Sequence, residues 1–420
     1  MNKIQGKLNM KLKNLSVAII LATVPMTGAF AAAMDRSGQS ISAFLQPNNY
    51  AEVGVMVLDP NVSGRDKTGK DTGDMGASYH SASAAVKIQA TDNISVGLLF
   101  DQPFGAKAEY GLDSAYFSAN GKGTSAEVTT ENLTLLVGYQ PNANWNFYAG
   151  PVWQQAKGNV HLRGAAYSAF NGYDAKMKND DAWGWAAGFS YQIPEIALKT
   201  SLTYRSKIKH DLDSDESFGS TSVQNQMIGT LMAPTTQGGL GLTYAQASTT
   251  IGTISAGSTN VKTPQSVNLD FQSGIAENTV GFVNVRWVNW DGFAIRPASF
   301  GQATEKLLGG KEVNLVEYNK DQWTINAGVG RKFSDKWSAT AAVGWDSGAG
   351  NPVTTLGPTE GYWSLGLGAQ FSPAANYFVQ GGIKYFWLGN ADALTASSPY
   401  EGSFRDNHAI GYALKFGYRF

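Results

Sequence analysis

The pattern of the chain is clearest in its last dozen residues. Ile410, Tyr412, Leu414, Phe416, Tyr418 and Phe420 are large and apolar, and the residues between them, Gly411, Ala413, Lys415, Gly417 and Arg419, are small or cationic. A period of two is the side-chain period of a β-strand with one apolar face. The same alternation recurs throughout. Leu133, Leu135, Val137 and Tyr139 alternate with Thr134 and Gly138, and Val267, Leu269 and Phe271 with Asn268 and Asp270. Trp323, Ile325, Ala327 and Val329 alternate with Thr324, Asn326 and Gly328, and Trp363, Leu365 and Leu367 with Ser364 and Gly366. From Asn49 onward fourteen such segments can be counted, an even number, as bacterial membrane barrels have.

The connections between segments sort into two lengths. Short ones, at Thr91-Asp92-Asn93, Pro141 to Asn144, Ile193-Pro194-Glu195, Ala276-Glu277-Asn278, Ser334-Asp335-Lys336 and Ser372 to Asn376, are built from turn-forming residues. They alternate with long ones near 60–76, 103–125, 158–180, 212–264, 299–319, 347–360 and 389–406. Short periplasmic turns alternating with long external loops are the habit of an outer-membrane barrel, and a soluble sandwich gives no reason for them. Trp and Tyr gather near segment ends, at Trp145, Trp323, Trp337, Trp345, Trp363 and Tyr377, as interfacial girdles do. The predicted fold is all-β: a transmembrane antiparallel barrel of about 14 strands over 49–420, with both ends on the periplasmic side.

Composition narrows the class further. The chain is 43% hydrophobic and 15% charged, with 48 glycines. A mean hydropathy of -0.22 is too low for a bundle of membrane helices. The only long apolar run, Leu15 to Phe30, follows Lys3, Lys7, Lys11 and Lys13 and precedes the small residues Ala29 to Ala33. This is the layout of a secretory signal peptide, expected to span 1–33 and to be removed. Beyond it stand 28 basic against 33 acidic side chains, a net charge of -5, which argues against nucleic acid as a partner. Cysteine is absent, the four histidines (His80, His161, His210, His408) show no metal-ligand spacing, and no nucleophile, base or phosphate loop stands out. Neither enzyme activity nor a cofactor is expected.

Three stretches carry a resemblance. Val57-Leu58-Asp59-Pro60-Asn61-Val62-Ser63-Gly64, Trp183-Gly184-Trp185-Ala186-Ala187-Gly188 and, most specifically, Leu202-Thr203-Tyr204-Arg205-Ser206 resemble the FadL-type long-chain fatty acid transporters. The resemblance runs from about Asp35 to Phe420. It implies a fourteen-stranded barrel of the Gram-negative outer membrane with an N-terminal hatch in its lumen. It further implies passive uptake of hydrophobic small molecules, long-chain fatty acids first, through an external greasy groove, an internal pocket and a lateral gap at a kinked third strand. One departure is plain. Only 34–48 is left for the hatch, about a third of the family length, and it ends Gln46-Pro47-Asn48 where the family has Asn-Pro-Ala.

On that basis Pro103, Phe104 and Gly105 are the expected lateral-exit kink, since proline cannot donate to a ladder and glycine permits a bend. A fatty acid headgroup needs a cation at the mouth of an apolar pocket, and the resemblance points to Arg163 and Lys320. Phe170, Tyr173, Met227, Ile228, Leu231 and Met232 are the expected external hydrophobic groove, the last four with helical spacing inside the longest loop, 212–264. Lys199, Arg205, Arg286 and Lys384 fall on lumen-facing registers and are expected to pair with acids such as Asp270 or with the plug. The expected partners are long-chain fatty acids or other hydrophobic molecules, with membrane lipid and lipopolysaccharide around a monomer. Import of aromatic hydrocarbons is the alternative within transport. A surface adhesin or phage receptor and a general polar porin are the alternatives from other classes.

Overall fold

A computed structural model describes residues 33–420 apart from 219, 220, 238 and 309, and without the side chains of 221–224 and 226. The expected signal peptide therefore lies, but for Ala33, outside the described residues. Fourteen antiparallel strands close into a barrel: β1 (Tyr50–Asn61), β2 (Tyr79–Gln89), β3 (Ile94–Asp101), β4 (Ser125–Tyr139), β5 (Trp145–His161), β6 (Asp174–Ile193), β7 (Leu198–Arg205), β8 (Ser266–Ala276), β9 (Thr279–Val288), β10 (Gln322–Lys332), β11 (Trp337–Asp346), β12 (Tyr362–Ala374), β13 (Tyr377–Leu388) and β14 (His408–Arg419). Each pairs with its neighbours in sequence. The ring closes where Tyr50 meets Arg419 and Asn61 meets His408, so the barrel wall has no free edge strand.

The burial pattern is the inverse of a soluble protein's. On β14, Tyr412, Leu414 and Phe416 are exposed, whereas Gly411, Ala413, Lys415 and Gly417 are buried. Val53, Val55, Leu135, Val137, Leu365, Leu367 and Ile383 are exposed likewise. These side chains form a belt that only lipid can cover. Tryptophans pair across strands along its upper rim: Trp153 with Trp183, Trp287 with Trp323, Trp345 with Trp363, and Trp363 with Trp387. Tyr139, Trp145, Phe147, Phe333, Trp337, Tyr418 and Phe420 mark the lower rim, all exposed. No helix among the described residues is long and apolar enough to cross a membrane.

β4, β5 and β6 run well past the upper rim, into stretches where the sequence suggests loop. The long 212–264 connection is largely ordered. Ile208–Ser217 pairs with Ser258–Thr263, and two helices, α1 (Thr221–Met232) and α2 (Tyr244–Gly252), sit between them. A third helix, α3 (Ala298–Leu307), occupies the connection after β9.

The chain from 34 to 48 runs inside the barrel. Arg286 donates to both Asp35 oxygens, at 2.7 and 3.0 Å, and to Gln39 Oε1 at 3.0 Å. Asn268 donates to Gly38 O at 2.7 Å and Lys87 to Asn48 O at 2.8 Å. Lys199 donates to Leu45 O. Phe44, fully buried, meets the Tyr148 ring edge-on at 5.6 Å. Glycines on β3 and β4 make room for it: a Cβ at Gly97 would stand 2.4 Å from the Phe44 ring, and one at Gly138 2.9 Å. Burying that ring stabilises the segment by roughly 1.5–3 kcal/mol.

Candidate functional site

The site begins where β3 ends. β2 pairs with β3 only from Ala84–Phe100 to Gln89–Ser95. Pro103 then turns the chain inward, and Gly105–Glu109 resumes pairing with β4, with Ala108 bridged to Gly76 on its other side. Phe104 N–H donates to Thr130 Oγ1 at 2.9 Å. The N-terminal segment takes up the freed backbone: Arg36 N–H donates to Pro103 O at 2.7 Å, and Gly105 N–H to Met34 O at 2.8 Å. The Arg36 guanidinium lies 3.9 Å over the Tyr79 ring. Pro103, Phe104 and Gly105 thus form an inward kink between β2 and β4, and Tyr79–Ser83 of β2 are left beside it without ladder partners on that side among the described residues.

Phe104 points into an apolar chamber of about 430 Å³, open solvent included. Met34 of the plug forms its floor, and Val128, Ala156, Gly158 and Met177 of β4, β5 and β6 form one wall. Leu212 and Val261, from the strands above β7 and β8, form the other, and Trp290, Phe293 and Ile295 close it. Trp290 is fully buried. Its ring packs on Phe104 at 5.5 Å and Phe293 at 4.9 Å, and its indole N–H donates to Gln322 Oε1 at 2.6 Å. The one buried indole N–H is thereby satisfied and the remaining surface is hydrocarbon, which suits an apolar ligand. A second, larger cavity of about 1430 Å³ flanks the plug on its other side. Its lining is mixed: Lys199, Asp270, Arg286 and Lys384 stand among Ile41, Leu45, Val280 and Phe282, against a wall of Gly366, Gly368 and Gly382.

The structure separates the other sequence candidates from this chamber. Arg163 stands above the rim between β5 and β6. Its guanidinium donates to Asp174 at 2.6 Å, to Leu162 O at 2.8 Å and to Tyr173 O at 3.1 Å. Lys320 is exposed at the start of β10 beside Glu360. Neither lines the chamber. The groove candidates do come together, but as a packed core. Phe170, Tyr173, Met227, Ile228 and Leu231 are buried in one cluster with Phe300 of α3, and only Met232 is exposed. Phe300, in a connection read as plain loop, covers them: it lies 4.9 Å from Phe170 and 5.2 Å from Tyr173. Tyr173 donates to Glu216 at 2.7 Å, and burial together with that carboxylate raises its hydroxyl pKa far above the ordinary value. A narrow crevice beside Phe170 and Phe300 is what remains open.

The chamber residues themselves, Val128, Ala156, Met177, Leu212, Val261 and Trp290, escape sequence reading. They lie on registers above the belt, where the outward face turns polar and the usual contrast between faces inverts. The signal available was Trp290 and Phe293, aromatics at the start of a loop with no lipid to face.

A closed fourteen-stranded barrel with a lipid-facing belt, a lumenal plug and an apolar chamber beside a kinked strand defines an outer-membrane channel for hydrophobic molecules. The chain belongs to the outer membrane protein transport protein family (OMPP1/FadL/TodX), whose model matches residues 29–420. It is 23% identical over 342 residues to the long-chain fatty acid transport protein of Escherichia coli, covering 74% of this chain and 71% of that one. Among solved structures it resembles a Pseudomonas aeruginosa FadL homologue, with a TM-score of 0.69, 16% identity and 95% and 99% of the two chains covered. It also resembles the P. putida toluene transporter TodX, with a TM-score of 0.61, 13% identity and 95% and 99% covered. The protein is thus a Gram-negative outer-membrane β-barrel of a transporter family.

Proposed function

We propose that the barrel takes up uncharged hydrophobic compounds of roughly aromatic-hydrocarbon size, by passive diffusion through the apolar chamber and out sideways at Pro103, Phe104 and Gly105. The observation that carries this reading is the chamber lining. It offers hydrocarbon walls, and no cation among the described residues points into it: Lys157 borders it but is exposed, and Arg163 is held by Asp174. A carboxylate placed there would lose its hydration without a partner. A second reading, long-chain fatty acids, draws support from the similarity to the E. coli fatty acid transporter.

The two separate in one experiment. Cells lacking other uptake routes are given radiolabelled toluene or oleate, with the wild-type barrel or with Ala156→Phe, whose ring would fill the chamber. Toluene uptake is expected to fall roughly tenfold in the variant. Uptake of oleate but not toluene by the wild type favours the second reading. Toluene uptake that is unchanged by a filled chamber refutes the first.

A further inference from the structure

The barrel wall is interrupted a second time, away from the Pro103 kink. β6 pairs with β7 from Ala186–Arg205 to Ile193–Leu198. Higher up it pairs again, from Asp174–Ser217 to Met177–Ser214. Between these ladders residues 178–185 face 206–213 with no ladder pair among the described residues. Two bonds close the lower end: Ser206 N–H donates to Trp185 O at 2.9 Å, and Trp185 N–H to Ser206 Oγ at 2.9 Å. Above them side chains bridge the seam. Ile208 sits against Gly184, where a Cβ would stand 2.6 Å from Ile208 Cγ1. His210, fully buried, places Nδ1 2.8 Å from Asp180 Oδ2 and Nε2 2.9 Å from Gln154 Oε1. Lys178 meets Asp215 at 3.1 Å near the top.

The far side of the seam is a two-stranded unit, joined to β6 at its top by the ladder from Asp174–Ser217 to Met177–Ser214. Ile208–Ser217 and Ser258–Thr263 pair with each other from Ile208–Thr263 to Asp213–Ser258. Both strands are broken at the same height from the barrel strands below, at Ser206-Lys207 and at Pro264-Gln265. Two chain breaks side by side make a hinge line, where single backbone bonds, Ser206 N–H to Trp185 O at 2.9 Å and Asn289 N–H to Gln265 O at 3.0 Å, stand in place of a continuous ladder. The inner face of this flap carries Leu212 and Val261, which line the apolar chamber, and Met177 lines it from β6. At the foot of the seam Trp183 and Trp185 stand on the outside, 69% and 52% exposed, at the level of the upper tryptophan ring.

We propose that this two-stranded flap bows outward between its hinge line and the Asp174–Met177 ladder that holds its top, opening the seam between β6 and β7 as a side port. Hydrophobic molecules gathered at the outer membrane interface then reach the chamber through the wall rather than from above. His210 is the clasp: it ties the flap to Asp180 across the seam and to Gln154 on β5. Chemically the port suits apolar, membrane-partitioning ligands, because its outer lip is tryptophan and its inner wall is leucine, valine and methionine. The assignment of cargo rests on the reading above; the port itself does not.

Two measurements test it separately. The chain has no cysteine, and a Cβ at Gly184 would stand 2.6 Å from Ile208 Cγ1, which keeps the two β-carbons inside the roughly 4.5 Å upper limit for a disulfide. In Gly184→Cys/Ile208→Cys, oxidation is expected to cut toluene uptake about tenfold and reductant to restore it, with each single variant unaffected by either treatment. Uptake indifferent to the lock, in a barrel that transports toluene when reduced, overturns the port. The second measurement needs no transport. In a Leu212→Cys background, labelling by a lipid-dissolved maleimide is expected to rise about fivefold or more when His210→Ala or, independently, Asp180→Asn removes the clasp. Folding of each variant is checked by heat-modifiable gel mobility. Unchanged labelling in the folded barrels overturns the proposal, whatever the cargo is.

Discussion

Two arginines show how differently a cation can be used here. Arg286 lies in the lumen, 5% exposed, with Asp35 at 2.7 Å and Asn268 and Gln39 completing its partners at the edge of the large cavity. Removing one partner of such a pair strands the other charge, at a cost of roughly 3–5 kcal/mol. Because Asp35 belongs to the plug, that cost falls on the plug's docking rather than on the barrel ladder. Arg286→Ala is therefore expected to raise hydrogen exchange in residues 34–42 by about two orders of magnitude or more, with β8–β10 unchanged. The double change Asp35→Leu/Arg286→Met is expected to recover most of the protection. Loss spread evenly over the barrel would contradict this. Arg163 is spent on loop backbone and Asp174. Its replacement by alanine is expected to lower toluene and oleate uptake alike through loop disorder; a selective loss of oleate would instead return it to the headgroup role that the family resemblance implies.

At the scale of elements, the external connections are held by buried polar groups more than by ladders. In the loop from 347 to 361, Glu360 accepts from Gly350 N–H at 3.0 and 3.2 Å. Burial raises its pKa above the ordinary 4.5, against the pull of Gly350 N–H and Lys320. The folded loop therefore binds this proton more tightly than the unfolded chain. Its contribution to stability is full in acid and is lost as pH rises through the raised pKa. Exchange protection of 347–361, corrected for intrinsic rates, is expected to fall from acid to neutral pH, and Glu360→Gln to flatten the dependence. What sequence could show of these elements follows the same physics. Within the belt, lipid imposes a strict alternation, and β8 to β14 are legible nearly to their ends. Above the belt water meets the outer face, the alternation fades, and Asp174–Met177 reads as loop although it pairs with Gly158–His161. The Asp35–Arg286 pin spans 251 residues, beyond any periodicity. The flap and its clasp were hidden for a like reason: His210 belongs to no spacing motif, and its partners Asp180 and Gln154 come from two other strands.

For the molecule as a whole, the short plug has a consequence that a full-length hatch would remove. It leaves a large cavity on the β8–β13 side of the lumen and a smaller one, of about 930 Å³, against β1–β4 and β14. Above the large cavity Trp290, Gln322, Thr324 and Asp346 form a hydrogen-bonded layer: Gln322 donates to Asp346 at 2.8 Å and Thr324 to the same oxygen at 2.6 Å. The wild-type lumen is thus blocked by the plug on one side and by this layer at the other. Deleting 34–48 frees the first half and unpairs several cations at once: Arg286 loses Asp35, Lys199 loses Leu45 O, and Lys87 loses Asn48 O. With Arg205 and Lys384 they outnumber the inward acids Asp101, Asp270 and Asp346, while Lys415 remains matched by Glu52 at 3.0 Å. A pore so lined favours anions. In planar bilayers the deletion is expected to give discrete conductance steps whose reversal potential in a KCl gradient is shifted toward the chloride potential, and Gln322→Ala added to it to enlarge them. A silent deletion variant would mean that the Trp290–Asp346 layer alone seals the barrel. A cation-selective one would mean that the lumenal charges are not arranged as described.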